Sequence, residues 1–114
     1  MIKKREGMRE ATVEKPRDGE GVAHYTYVME KDEMKSSCTM FAKITLEPGS
    51  RVGEHAHVED AEVYYILEGM MEVNDNGTIQ QARPGDAVYT SDGGTHSIKN
   101  IGDTNATMIA VIIR

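Results

Sequence analysis

The feature of this sequence that most constrains its fold is a series of short runs rich in Val, Ile, Thr and Tyr, interrupted about every eight to twelve residues by turn residues. The runs have the length of β-strands, and the Gly, Pro, Asn and Asp residues between them favour tight turns. This pattern predicts an all-β sandwich or barrel. The predicted strands lie at roughly 22–29, 39–46, 62–68, 70–74, 78–82, 86–90, 95–100 and 106–113.

The chain divides into a polar start and a β-rich remainder. Residues 1–21 are interrupted by Pro16, Gly19 and Gly21 and have no sustained period, so they are expected to form an N-terminal arm. Residues 22–114 are expected to form a single β-barrel domain, since 114 residues suffice for one core but not for two. The one predicted helical turn, at 31–36, is too short to be stable alone.

Composition excludes several classes of function. A net charge of −6 argues against nucleic acid binding, which requires a basic surface. The longest apolar runs, such as 108–113, are far shorter than the ~20 residues of a membrane helix. No apolar run follows the basic residues near the N-terminus, so we expect a cytoplasmic protein without a signal peptide. Cys38 is the only cysteine, which excludes an internal disulfide and a thiolate metal cluster.

The histidines carry the strongest functional pattern. Side chains alternate along a strand, so His55 and His57 project to the same face. Glu62 heads the next strand, and His96 opens another after a turn. In a closed sheet these hairpins can face each other, bringing three imidazoles and one carboxylate together. Such mixed ligands suit one divalent transition-metal ion per chain, either Mn, Fe, Co, Ni, Cu or Zn, and leave positions for one or two waters.

Two motifs in the chain resemble those of the cupin superfamily. The first spans 49–69 and consists of Gly49, five residues, His55-Ala56-His57, four residues, Glu62, six residues and Gly69. The second spans 85–100 and consists of Gly85, five residues, Ser91-Asp92-Gly93, two residues, His96, three residues and Asn100. Ser91 stands where the family usually has proline, at a position that shapes a turn and binds no metal.

The resemblance implies a fold, a ligand set and an assembly. The fold would be a double-stranded β-helix, the jelly-roll barrel of small single-domain cupins. The metal ligands would be His55, His57, Glu62 and His96. Small cupins commonly pair through their sheets, which implies a homodimer, and open sheet edges favour such pairing.

Further residues are candidates for the surroundings of the metal. Tyr64 shares strand parity with Glu62 and is the candidate for a catalytic or ligand-orienting hydroxyl, although a core tyrosine is an equal alternative. Other candidates for pocket lining are Tyr89, Tyr25 and Met40. Cys38 raises the possibility of a thiol dioxygenase, against which the Glu62 ligand argues, because such sites generally lack a glutamate.

The sequence favours one function and leaves a second open as the alternative. The first is a small metalloenzyme that acts on an oxygen-rich carboxylate or sugar-derived compound, as a dioxygenase, decarboxylase, isomerase or lyase. The second is a metal-dependent binding or sensing module without turnover. In both, a divalent ion with one carboxylate ligand has a net charge of about +1 and favours a small anionic ligand.

Overall fold

Two antiparallel sheets face each other in the computed structural model, which describes all 114 residues. The larger sheet has the strand order β1-β2-β3-β10-β5-β8, and the smaller has the order β4-β9-β6-β7. The strands are β1 Arg9–Glu14, β2 Val22–Met29, β3 Cys38–Leu46, β4 Arg51–His57, β5 Ala61–Glu68, β6 Met71–Asp75, β7 Thr78–Ala82, β8 Ala87–Thr90, β9 Gly94–Asn100 and β10 Ala106–Ile113. The predicted all-β fold is confirmed.

Helical structure is confined to short turns. The α-helix α1 spans Lys31–Met34, within the predicted helical turn, and two 3₁₀ turns span Arg5–Gly7 and Pro16–Asp18. No helix has the length and apolar character needed to cross a membrane.

The tight turn between β6 and β7 illustrates how the sequence sets strand pairing. Asn76 and Gly77 have φ angles of +52° and +92°, which Asn and Gly tolerate better than other residues. The backbone amide of Gly77 also donates a hydrogen bond of 2.8 Å to the side-chain oxygen of Asn74. This turn fixes the register in which Asp75 pairs with Thr78, as the Asn-Gly pair predicts.

The core lies between the two sheets. Alternate residues of β10 point into it, and Ala106, Met108 and Ala110 are fully buried. Within the larger sheet Ala110 pairs with Ala42 on β3, whereas Met108 pairs with Ile44, so small and large side chains occupy different positions along the core face of this sheet. The core also contains Ile44, Leu46, Ile66, Met71 and Ile98, each at most 2% exposed. Burial of these side chains supplies most of the driving force for folding.

Two observed strands differ from the prediction. β1 lies within residues 1–21, where only an arm was expected, and β4 begins at Arg51, four residues before the His55 and His57 pair for which a strand was expected. β1 is a mostly exposed edge strand held by backbone pairing with β2, so its residues have little apolar alternation. β4 contains Gly53, a residue type that is uncommon inside strands. The division into an arm at 1–21 and a barrel domain at 22–114 stays a prediction.

Candidate metal centre

Both sheets contribute side chains to one buried polar cluster. His55 and His57 lie on β4 and His96 on the neighbouring β9, where His55 and His96 are paired directly across the ladder. Glu62 lies on β5 of the larger sheet and projects between the sheets. His57, His96 and Glu62 are at most 3% exposed. The four predicted residues are therefore brought together at one point of the interior.

The ligand atoms of this cluster have the spacing of a coordination sphere. Glu62 Oε1 lies 3.0 Å from Nε2 of His57 and of His96, and 3.6 Å from Nε2 of His55. His96 Nε2 lies 3.0 Å from His55 Nε2 and 3.2 Å from His57 Nε2. Two ligands at right angles around an ion, with bonds of about 2.1 Å, are separated by about 3.0 Å. All four ligand atoms lie within 4.8 Å of one another, so the group can hold one metal ion.

Each imidazole is oriented by a hydrogen bond on its outer nitrogen. Nδ1 of each ring faces an oxygen atom: the carbonyl of Gly53 for His55 (2.7 Å), the carboxylate of Asp60 for His57 (2.7 Å) and the hydroxyl of Thr90 for His96 (2.8 Å). The carbonyl and the carboxylate can only accept, which places the proton of His55 and of His57 on Nδ1 and leaves their Nε2 lone pairs directed inward. These two outer hydrogen bonds thus preset the tautomer that coordinates a metal, and the Thr90 hydroxyl fixes the orientation of the His96 ring.

Glu62 Oε1 is buried without a hydrogen-bond partner. The Nε2 atoms of His55 and His57 do not donate to it, because these rings carry the proton on Nδ1. A carboxylate and imidazole lone pairs that meet at one buried point repel one another unless a cation lies among them. The residues present therefore fit a metal ion.

Tyr64 packs against the cluster. Its ring stacks on His96 with centroids 4.8 Å apart and planes within 10°. Tyr64 is 2% exposed, and burial together with the negative charge of Glu62 raises its pKa well above 10. The hydroxyl therefore stays protonated at neutral pH and can donate a hydrogen bond, but it is no general base. A catalytic role for Tyr64 stays a prediction.

A small cavity of about 50 Å³ adjoins the cluster. Tyr25 and Met40 line this cavity as expected, but Tyr89 does not, because its side chain is on the outer surface and 63% exposed. Cys38 is not among the lining residues either, and its thiol donates to the carbonyl of Met40 at 3.4 Å. The lining residues are Arg17, Tyr25, Met40, Ile44, Val52, His55, Glu62, Tyr64 and Ile112.

Arg17 is the charged lining residue that the sequence did not predict. It lies in the turn before β2, inside the segment expected to be an arm. The only sequence signal is a charged residue between Pro16 and Gly19, and such a pattern is also common in solvated loops. Its place at the cavity follows from a contact with β4 that is distant in sequence.

Comparison with known proteins agrees with this fold and site. The Cupin domain family matches residues 42–112. The chain is also 39% identical over 97 residues to the oxalate-binding protein of Thermotoga maritima, which covers 85% of this chain and 80% of that protein. The chain therefore belongs to the cupin family.

Two solved structures are also similar to this chain. The crystal structure of a predicted oxalate decarboxylase from Thermotoga maritima superimposes with a TM-score of 0.93 at 34% identity, covering 99% of this chain and 98% of that one. A sugar phosphate isomerase from Silicibacter pomeroyi superimposes with a TM-score of 0.73 at 21% identity, over 96% of this chain and 73% of that one. The second likeness concerns the fold alone, and a fold by itself does not define an activity.

Proposed function

We propose that this protein binds a small dicarboxylate of the oxalate class at a transition-metal ion held by His55, His57, Glu62 and His96. The observation that carries the proposal is the unpartnered oxygen of Glu62, which faces three inward Nε2 atoms beside a cavity. A divalent ion in this site supplies a positive centre that attracts anionic oxygen donors. The identity of the metal stays open among Mn, Fe, Co, Ni, Cu and Zn.

The size and lining of the cavity support a small acid over a sugar-derived compound. A water molecule needs about 10–15 Å³ of cavity volume, so a cavity of about 50 Å³ holds about three to five waters or a ligand of similar size. Ile44, Val52 and Ile112 give it apolar walls, in which an electrostatic contact is stronger than in water. The oxalate-binding relative from Thermotoga maritima also supports a ligand of this class.

The groups beside the site favour binding over turnover. Burial is the main cause that raises the pKa of Tyr25 to about 12, and Tyr64 titrates well above 10, so neither accepts a proton at neutral pH. Glu62 is the one carboxylate that lines the cavity, and it is committed to the metal. Asp60 is hydrogen-bonded to His57. We therefore put the binding or sensing module ahead of the metalloenzyme, reversing the order favoured by the sequence.

A metalloenzyme is the second candidate. The similarity to a predicted oxalate decarboxylase supports it. A decarboxylase of this kind would convert oxalate and one proton to formate and carbon dioxide. The cytoplasmic location expected from the sequence stays a prediction.

Calorimetric titration tests the proposed function. Oxalate, malonate, acetate and phosphate are titrated into protein loaded with Mn(II), Co(II), Ni(II) or Zn(II), and into chelator-treated protein. We expect oxalate to bind the metal-loaded form and not the chelator-treated form, because the metal is the main recognition group. Formate is measured in the same mixtures. Equal binding of oxalate to both forms would contradict the proposal. Formate release at a rate proportional to the protein concentration would favour the enzyme.

We also propose a homodimer that forms through the larger sheet. Its outward surface carries four exposed apolar side chains on the neighbouring strands β10, β5 and β8, with exposures of 46% for Tyr65, 40% for Leu67, 63% for Tyr89 and 43% for Ile113. Clusters of this kind commonly mark interaction surfaces. If the same sheet of a second copy packed against this surface, the apolar clusters of both copies would be covered at once, as a two-fold interface requires.

Light scattering at micromolar concentration tests this assembly. The wild type is expected at twice the chain mass of 12.6 kDa. Tyr65→Asp should shift the mass to that of the monomer, because it places a charge within the apolar surface. Ile79→Asp is the matched control, since Ile79 is 61% exposed on β7 of the other sheet and should leave the dimer intact. A monomeric wild type would refute the proposal.

A further inference from the structure

Arg17 places a positive charge at the mouth of the cavity. It carries the only guanidinium or ammonium group among the residues that line the cavity, and its side chain is partly open to solvent. It makes no hydrogen bond or ion pair with the rest of the chain, whereas Arg9 and Arg51 each lie within 4 Å of a carboxylate. Arg17 also precedes residues 42–112, which match the Cupin domain family, so this charge lies outside the part shared with that family.

The backbone around Arg17 is held in an unusual conformation. Lys15, Arg17 and Asp18 have φ angles of +49°, +52° and +58°. Each non-glycine residue in this left-handed region costs of order 1 kcal/mol or more, and it persists only where the surrounding structure enforces it. Three such residues lie within four positions, with Pro16 buried between them, so the surrounding structure must hold this turn in place.

Close backbone packing fixes this turn to the strand that carries His55 and His57. Glu20 and Arg51 exchange two backbone hydrogen bonds of 3.0 and 2.8 Å. A β-carbon at Gly53 would collide with the backbone carbonyl of Arg17, and a β-carbon at Gly19 would collide with that of Arg51. The two glycines thus allow a close approach that other residues would prevent. Because the Gly53 carbonyl also accepts the hydrogen bond that orients His55, the turn packs directly against the residue that positions one of the metal ligands.

The charge of Arg17 reaches the interior of the site. Arg17 lines the same cavity as the ligands His55 and Glu62, together with Tyr25 and Tyr64. A ligand in the cavity would therefore lie between two positive groups, the metal at the inner end and the guanidinium at the mouth.

We propose that Arg17 binds the carboxylate oxygens of the ligand that face away from the metal, and so selects doubly charged over singly charged acids. A guanidinium offers planar paired donors that match the two oxygens of a carboxylate, so it suits this position better than an ammonium group. The inference rests on the proposed function. It adds a residue, from outside the family-matched region, that determines which small acids bind.

The test compares two ligands in four proteins. Oxalate and the singly charged chelator glycolate are titrated by calorimetry into metal-loaded wild type, Arg17→Gln, Arg17→Lys and Arg83→Gln. Arg83 is exposed and absent from the cavity lining, so Arg83→Gln is the matched control for loss of one positive charge. Metal content and circular dichroism are measured for every variant, because the side chain of Arg17 binds no metal and both should be unchanged.

We expect Arg17→Gln to weaken oxalate binding by about 10- to 100-fold, the usual effect of losing a hydrogen-bonded charge, and to change glycolate binding by less than about threefold. Arg17→Lys should fall in between, and Arg83→Gln should match the wild type. Wild-type affinity of Arg17→Gln for oxalate, or equal losses for both acids, would overturn the role of Arg17 and leave the proposed function standing. Failure of the metal-loaded wild type to bind oxalate would overturn both.

Discussion

His57→Ala is expected to lower the affinity for a divalent transition metal by about 100-fold or more while the fold persists. Loss of an outer hydrogen-bond partner of a ligand typically costs 10- to 100-fold in metal affinity, and loss of the ligand itself should cost at least as much. His57 contributes Nε2 at 3.0 Å from Glu62 Oε1 in the centre of the cluster. Competition with a chelator of known affinity, followed by elemental analysis, measures the effect.

Two further variants make this result specific. His24→Ala removes a histidine that lies outside the cluster and is paired with Glu47 at 2.7 Å, and it should leave metal affinity unchanged. Asp60→Asn keeps all four ligands but weakens the outer hydrogen bond of His57, so an intermediate loss is expected. Equal metal content in His57→Ala and wild type, with folding confirmed by circular dichroism, would rule out the proposed site.

Asn100→Ala is expected to lower the free energy of unfolding by about 3–5 kcal/mol. The Asn100 side chain is fully buried and makes three hydrogen bonds to the backbone: its amide donates to the carbonyls of Leu46 at 2.9 Å and Thr104 at 2.8 Å, and its oxygen accepts from Gly102 at 2.9 Å. Alanine would remove all three and leave buried polar groups unpaired, each of which costs roughly 1–3 kcal/mol. Urea and thermal unfolding of the metal-free protein measure the loss.

Asn105→Ala is the matched control for this variant. Asn105 lies in the loop between β9 and β10 that the Asn100 side chain contacts, is exposed and makes no side-chain hydrogen bond. Its substitution should change the free energy of unfolding by no more than about 0.5 kcal/mol, as is usual for surface positions. If the two variants had similar free energies of unfolding, the hydrogen bonds of Asn100 to β3 and to the loop after β9 would not stabilise the fold as expected.

The four candidate metal ligands were predictable because local spacing in the sequence determines which face of a strand each side chain occupies. A strand places every second side chain on one face, so the pair His55 and His57 and the pair Glu62 and Tyr64 each follow from their own strand. Their convergence followed from the resemblance to a family whose barrel brings the two motifs together. The ligand group in the structure agrees with that prediction, although the binding of a metal stays a proposal.

Tyr89 shows where such reasoning fails. Thr90 points inward, where its hydroxyl lies 2.8 Å from His96 Nδ1, and its neighbour Tyr89 must therefore point outward. The strand at 86–90 was predicted, but which of its faces is buried depends on pairing with β5, where Glu62 lies opposite Thr90. Register between strands distant in sequence is a long-range property, and an isolated run of residues does not encode it.

Arg17 and β1 were missed for a related reason. Both lie in a polar stretch without apolar alternation, and both are held by backbone contacts that side-chain patterns do not report. β1 pairs with β2, and the turn that carries Arg17 packs against Gly53. A glycine inside a strand can signal such a close backbone approach, but the partner is visible only in three dimensions.

The most direct test of the metal centre is an anomalous difference map from crystals of the metal-loaded protein, collected at the absorption edge of the bound metal. We predict one strong peak per chain, about 2.0–2.2 Å from Nε2 of His55, His57 and His96 and from a carboxylate oxygen of Glu62. A peak at the surface pair of His24 and Glu47 instead, or no peak at the four-residue cluster, would contradict the account.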